Sequence, residues 1–467
     1  MISKEFSIYL LGVVFAGAAS PQSALPPAPG ASIVNISSPA SFSEPGVALN
    51  PKNPNQIAVV YQGGAAVQGG ANAAYSNDAG RTFNIAQGTQ PPDWRVEGDV
   101  STTFDNKGNA FLCYLAFDRL GTAYYWAHDA GRNGIFVARS PDGGKTWEKN
   151  PIAVKAFPIG KEPNIQFEDE PRIFADNTPG SPYAGNLYGG WVEWQLDQSI
   201  MLFSRSTDAG KTWSAPIRIS THAGLPRDDN GSLGGLVLAT APDGTIYVIW
   251  DDGNTIAMTK SRDGGKSFAR SRPIVDVGPP YFSDIPGVSR VEGFPQIAMD
   301  PRGGKGGGKL YICWSDYSNG DIDVFVASSS DHGRKWSKAV RVNDDPLHDG
   351  ADQFYQWMAV DPITGAVYVQ FYDRRADPAH RETRITLARS TDGGHTFVNY
   401  AWTDASFESG GAFLGDYTWM TAYNNHVYGA WTETERSERS NTGAANGASH
   451  SASPKTIIRF GSADFSR

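Results

Sequence analysis

The chain has 467 residues, a formal net charge of -9 and a pI near 5.4, and its Lys and Arg residues form no basic stripe. Nucleic acid is therefore excluded as an expected partner, since phosphate recognition needs concentrated positive charge. Aromatic residues at 12%, with 13 Trp beside 52 Gly and 30 Pro, indicate an all-β protein and exclude a helical bundle.

The first predicted element is an export signal over residues 1–19. Lys4 supplies a positive start, "FSIYLLGVVFAGAA" is apolar but short for a bilayer span, and "AGA" at 16–18 suits a signal peptidase. Residues 20–31, "SPQSALPPAPGA", read as a flexible mature N-terminus. The remaining chain, 32–467, is expected to be one secreted or periplasmic domain, with no membrane partner and monomeric. Cys113 and Cys313 lie in separate apolar strand patterns, so both are expected as buried free thiols.

From residue 76 onward one phrase recurs: "SNDAGRTF" (76–83), "SPDGGKTW" (140–147), "STDAGKTW" (206–213), "SRDGGKSF" (261–268), "SSDHGRKW" (329–336) and "STDGGHTF" (390–397). Its flanks recur too. Each unit reads as strand a closing on a turn ("PGVALNP", "PQIAMDP"), then strand b ending in aromatics ("TIYVIWDD", "KLYICWSDY"). Strand c ("IFVARS", "ITLARS"), the phrase and strand d ("PIRIST", "AVRVND") follow. A period of this length suits a four-stranded propeller blade. In the phrase, Asp accepts backbone N–H groups across its turn, Gly permits positive φ, and the final aromatic packs. Six copies at six edges cannot make one active site, so the phrase punctuates an architecture.

A seventh a–b pair, "GDYTWMTAYNNHVYGAWTE" (415–433), is followed by "KTIIRF" (455–460) and a decayed phrase, but by no d strand. "SIVNISSPA" (32–40) resembles the other d strands and is predicted to pair there. Closing the ring removes two open sheet edges. The fold class is thus an all-β, seven-bladed β-propeller.

The phrase resembles the Asp-box, or BNR repeat, of the sialidase-like propellers, and the resemblance covers nearly the whole mature chain. Sialidases of this type have six blades, the alternative fold, and an "RIP" motif on the first blade whose Arg grips a sugar carboxylate. Here the nearest string is "PRIF" (171–174), on the third blade. The seven-blade count is similar to polysaccharide lyases that act on uronate-containing chains, of the rhamnose–glucuronate lyase type. The resemblance implies a carbohydrate-active protein with an acidic glycan or polysaccharide as partner. Three activities stay open: β-elimination, exo-sialidase-like hydrolysis, and glycan or protein binding without catalysis.

Strand order puts the d–a and b–c loops on one face, where a site is expected around the axis. Aligning the a strands on their closing turns brings Glu44, Asp99, Glu170, Gly235, Phe294, Tyr355 and Asp416 into one column. Its carboxylates, Glu44, Asp99, Glu170 and Asp416, fall in adjacent blades. They cap neighbouring backbone N–H groups, hold Ca²⁺ or another divalent cation, or do acid–base work. Arg172, Arg290, Arg374 and Arg375 are candidate forks for a sugar carboxylate. The b–c loop of blade two, "DRLGTAYYWAHDAGR" (118–132), brings Tyr125 and His128, and "GDYTW" brings Tyr417. For β-elimination, Arg neutralises the carboxylate, His128 or Tyr125 removes the proton, and Tyr417 serves the leaving oxygen. For hydrolysis, Tyr417 is the nucleophile, Glu170 or Glu292 its activator and Asp99 the acid.

Overall fold

Unit by unit, the repeat folds into four antiparallel strands. The computed structural model describes residues 24–64, 70–87, 94, 96–117, 132–157, 166–226, 231–278, 285–288, 290–306, 308–435 and 454–466. The first unit sets Ser41–Leu49, Ile57–Gly64, Ala71–Ser76 and Asn84–Gln87 side by side from the inside out. The inner strands of the next six blades are Val96–Phe104, Phe167–Ala175, Leu233–Thr240, Gln296–Asp300, Gln353–Val360 and Trp419–Tyr423. Seven such sheets make a seven-bladed β-propeller, and the six-bladed alternative does not apply. The only helical element among the described residues is a 3-10 turn, Pro301–Gly306.

Blade seven closes as its sequence predicts. Ser32–Asn35 is its outermost strand and pairs antiparallel with Thr456–Asp464, Ser32 opposite Ser462. Backbone bonds between Ala40 and Thr456 extend the zipper. Within the stretch expected to be flexible, residues 26–29 make backbone contacts. Pro26 O accepts from Ala401 N, Ala28 N donates to Ala401 O and Pro29 O accepts from Asp464 N, and Ala28 is buried. Prolines remove donors but leave carbonyls, and those carbonyls find strand N–H groups of blades six and seven here.

Burial explains the strand patterns. Ala110–Phe117 is buried along its whole length, so "AFLCYLAF" reads as an unbroken apolar run rather than an alternation. The two cysteines are buried and free. No helix among the described residues is long and apolar enough to cross a membrane.

The phrase works locally and between blades. In blade one, Ser76 Oγ takes Gly80 N–H at 2.9 Å, and Asp78 takes the Thr82 N–H at 2.9 Å and its hydroxyl at 2.6 Å. Blades two, three, four and six repeat this set. In blade five Lys335 replaces the hydroxyl residue and only its N–H is capped. The left-handed glycine then lies flat on the preceding blade. A Cβ on Gly80 would meet the Phe460 ring at 2.4 Å, and one on Gly265 the Phe203 ring at 2.7 Å. Each such turn is therefore also a seam between neighbours.

Candidate active site

The sequence column at the inner strands has a backbone cause. Glu44, Asp99, Glu170, Gly235 and Tyr355 all have positive φ, between 47° and 63°. Each sits at a register break in its a–b pair, such as Ser43/Gly46 or Asp169/Arg172. These are β-bulges, and a left-handed L-residue costs about 1–2 kcal/mol. Four non-glycine residues accept that strain at one level of the axis, the pattern seen where side chains are re-aimed for function. Phe294 and Asp416 precede their strands and do not share the bulge.

The bulges are chained by hydrogen bonds. Gln62 Oε1 takes the Asp99 N–H at 2.7 Å, Asp99 Oδ2 takes the Glu170 N–H at 3.1 Å, and Glu170 Oε2 takes the Gly235 N–H at 2.6 Å. Asp416 receives Arg290 through Nε at 2.7 Å and through Nη2. Of the candidate cation ligands Glu44, Asp99, Glu170 and Asp416, three take other partners in this geometry. Two of these carboxylates turn sideways to backbone donors and the third is held by an arginine. Among the described residues no three His, Cys, Asp or Glu side chains converge as a metal-holding group.

Arg172 lies in the same inner strand as Glu170. It is 2% exposed, its guanidinium carbon lies 3.7 Å from the centre of the Tyr417 ring and 5.7 Å from that of Trp419, and its buried Nη1 has no hydrogen-bond partner. Burial works against its charge, yet Tyr417, Asp99 and Glu170 hold it above the usual arginine value. The other three candidate forks are engaged by protein groups. Arg290 is paired with Asp416 and lies 3.4 Å from Glu292. Arg374, fully buried, donates to Pro286 O at 2.8 Å and Ser409 Oγ at 2.9 Å. Arg375 meets Asp373 at 2.6 Å, Asp345 at 3.5 Å and Asp344. A buried guanidinium left unpaired is costly, so most are satisfied internally.

Tyr417 is buried, and its hydroxyl donates to Val100 O at 3.0 Å. Burial and then Glu44 push its phenol well above the usual value, with Arg172 opposing. Its ring is a platform under Arg172. Glu44 is the residue whose role the sequence did not show. It is 1% exposed, its Oε2 has no partner, and burial followed by Asp99 raises its carboxyl well above the carboxylate range, against Arg290 and Arg172. Gly235 in the aligned column was the one hint of a positive φ, and not every residue of that column shares it. His128 and Tyr125 lie outside the described residues. The axis continues through a cavity of about 230 Å³, to which every blade contributes, with Thr102, Asn177 and Gln296 as well as Val47, Ile173 and Val237 among its walls. Trp357 and Trp419 stack beside it with centroids 4.0 Å apart.

Fold and site together define a seven-bladed β-propeller with an Arg–Glu–Tyr cluster at the mouth of its axis. No family model matches the chain, and neither does any curated protein. Among solved structures it is similar to a Hadza microbial sialidase, with 15% identity, TM-score 0.49, and coverage of 77% of this chain and 66% of that one. It is similar also to the sialidase of Trypanosoma rangeli, with 14% identity, TM-score 0.48, and coverage of 74% and 58%. A third likeness is an ulvan lyase of a polysaccharide lyase family, bound to -[GlcA(1-4)Rha3S]-, with 11% identity, TM-score 0.48, and coverage of 85% and 93%. The chain thus spans under two thirds of the Trypanosoma rangeli sialidase's length.

Proposed function

We propose that the protein is an exported carbohydrate-active enzyme that cleaves a glycan beside an acidic sugar by β-elimination. The observation that carries this reading is the buried Arg172 guanidinium with an unpartnered Nη1, close to Glu44, whose carboxyl burial and Asp99 raise above the usual range. A guanidinium fork on the sugar carboxylate withdraws charge and acidifies the neighbouring C–H. His128 takes that proton, the electron pair forms the ring C=C bond, and the C–O bond to the leaving sugar breaks. Glu44, kept neutral by burial, gives its proton to the leaving oxygen.

Elimination is favoured over a tyrosine-nucleophile hydrolysis by the Tyr417 contact. Its hydroxyl donates to a backbone carbonyl, which cannot take its proton, and burial raises the nearby Glu44 carboxyl above the usual range by favouring its acid form, which cannot serve as the activating base. The test is incubation of the purified chain with uronate-containing polysaccharides and with sialyl conjugates. New ultraviolet absorbance from an unsaturated uronate supports elimination. New reducing ends without that absorbance mean hydrolysis, and binding with neither product means a non-catalytic propeller.

A further inference from the structure

Six blades turn from strand c into strand d through the repeated phrase. In blade seven strand c ends at Asp464 and strand d begins at Ser32, so these strands come from distant parts of the chain. A cavity of about 580 Å³ lies at that break, on the face of the phrases and opposite the Arg172 cluster. Its size falls within the roughly 300–1,000 Å³ of small-ligand sites. Its walls are the Asn55 turn and the phrase of blade one, the Tyr423–His426 turn and the end of strand c in blade seven, and the incoming Gly30–Ser32.

The walls present polar groups that the fold itself does not use. Arg81 is exposed, and its guanidinium makes no ion pair or hydrogen bond with the described residues. Among the described residues the side chains of Asn55, Asn424 and Tyr428 accept and donate nothing either, while Asn424 N–H is already engaged by Asp361. Tyr428 feels both Arg81 and Asp464. Asp464 accepts from Ser466 N at 2.9 Å and faces His426 Nε2 at 3.6 Å. Half-buried Tyr423 adds an aromatic wall. A preformed concavity with one fork cation, amides, hydroxyls and a ring matches a sugar that carries a carboxylate: the fork takes the acid, the amides and hydroxyls take the ring hydroxyls, and the aromatic wall takes a C–H face.

We propose that this seam cavity is an accessory site for a carboxylate-bearing sugar, holding the polymer on the face away from the cleavage site. It takes its ligand class, an acidic sugar, from the function proposed above, but none of its residues. Calorimetric titration of the full chain with glucuronic acid, and with glucose as the uncharged counterpart, tests it. Arg81→Ala removes an exposed, unpaired side chain and folds as the parent does. The expected result is loss of one bound glucuronate per chain, or affinity weaker by about tenfold or more, with partial recovery in Arg81→Lys. Glucose binds weakly to both forms. The Arg81-dependent site persists in Arg172→Lys, so failure of the catalytic reading leaves it standing. Superimposable isotherms for Arg81→Ala and the parent, or equal affinity for glucose and glucuronate, overturn the proposal.

Discussion

At the scale of single residues, the site turns on two side chains that the fold leaves incompletely satisfied. Arg172 is stacked on Tyr417 and buried, so its charge is held in place before any ligand arrives. Arg172→Ala is expected to lower kcat/KM by about a hundredfold or more, raising KM as well as lowering kcat, because a carboxylate is bound in ground and transition states alike. Arg172→Lys should recover only part, since a point charge cannot replace the fork. Steady-state kinetics on a uronate polymer, with circular dichroism as the folding control, checks both. Glu44 predicts a pH signature. Burial, and then Asp99, raises its carboxyl well above the carboxylate range, so its acid form persists to higher pH than an ordinary glutamate's, and kcat falls once that acid is lost. Glu44→Gln should cut kcat by ~10²–10⁴-fold and abolish that alkaline limb. An unchanged limb in the variant would assign it to another group.

At the scale of elements, the phrase turn is the unit that repeats, and its glycine is the point of contact with the next blade. Gly265 has φ +82, and a Cβ there would sit 2.7 Å from Phe203. Gly265→Ala should destabilise by about 1–3 kcal/mol, read as a lower denaturant midpoint at constant m-value. Gly70→Ala, whose Cβ would have only Gly63 O at 3.6 Å, should change stability by less than about 0.5 kcal/mol. Local signals of this kind are what the sequence displays well. The Asp and Gly of the phrase report a turn within eight residues, and the missing last strand reports the closure by Ser32–Asn35. The partners of the arginines are not local. Arg375 finds Asp344 and Asp345 across a blade boundary, and Arg374 finds Pro286 and Ser409 from still more distant loops. "YDRRADPAHR" shows the charges but not what satisfies them. The bulge column was visible as carboxylates in register, while its left-handed backbone, and hence the sideways aim of Asp99 and Glu170, was not.

At the scale of the whole molecule, the buried and the exposed carboxylates pull stability in opposite directions with pH. The phrase aspartates are held below the usual value; in Asp78, bonds from Thr82 lead and the pKa falls to about 2. Asp142, Asp208, Asp263 and Asp392 are also lowered, their turn hydrogen bonds outweighing desolvation. A depressed folded pKa contributes stability above the unfolded value of 3.8, which is lost as pH falls toward 2. Two buried glutamates act the other way. Burial raises Glu97 to about 7 despite the Ala71 N–H it accepts. Burial raises Glu168 to about 8 against the opposing Lys155, whose Nζ lies 2.9 Å away and also meets Glu193. A raised folded pKa contributes stability that is complete below the unfolded value of 4.5 and declines as pH rises through 7 and 8. The two windows leave a maximum between them, so Tm should peak in mildly acidic buffer near pH 4 to 4.5, falling on both sides. Glu168→Gln keeps the neutral form at every pH and can still accept the Trp191 indole N–H that Glu168 Oε2 takes. In that variant the decline from pH 5 to 8 should be shallower while the acid side is unchanged. Differential scanning calorimetry of both proteins across that range decides it. A parent Tm that rises from pH 5 to 8, or a variant profile parallel to the parent's, would mean that Glu168 is ionised in the folded blade and that Lys155 compensates its burial in full.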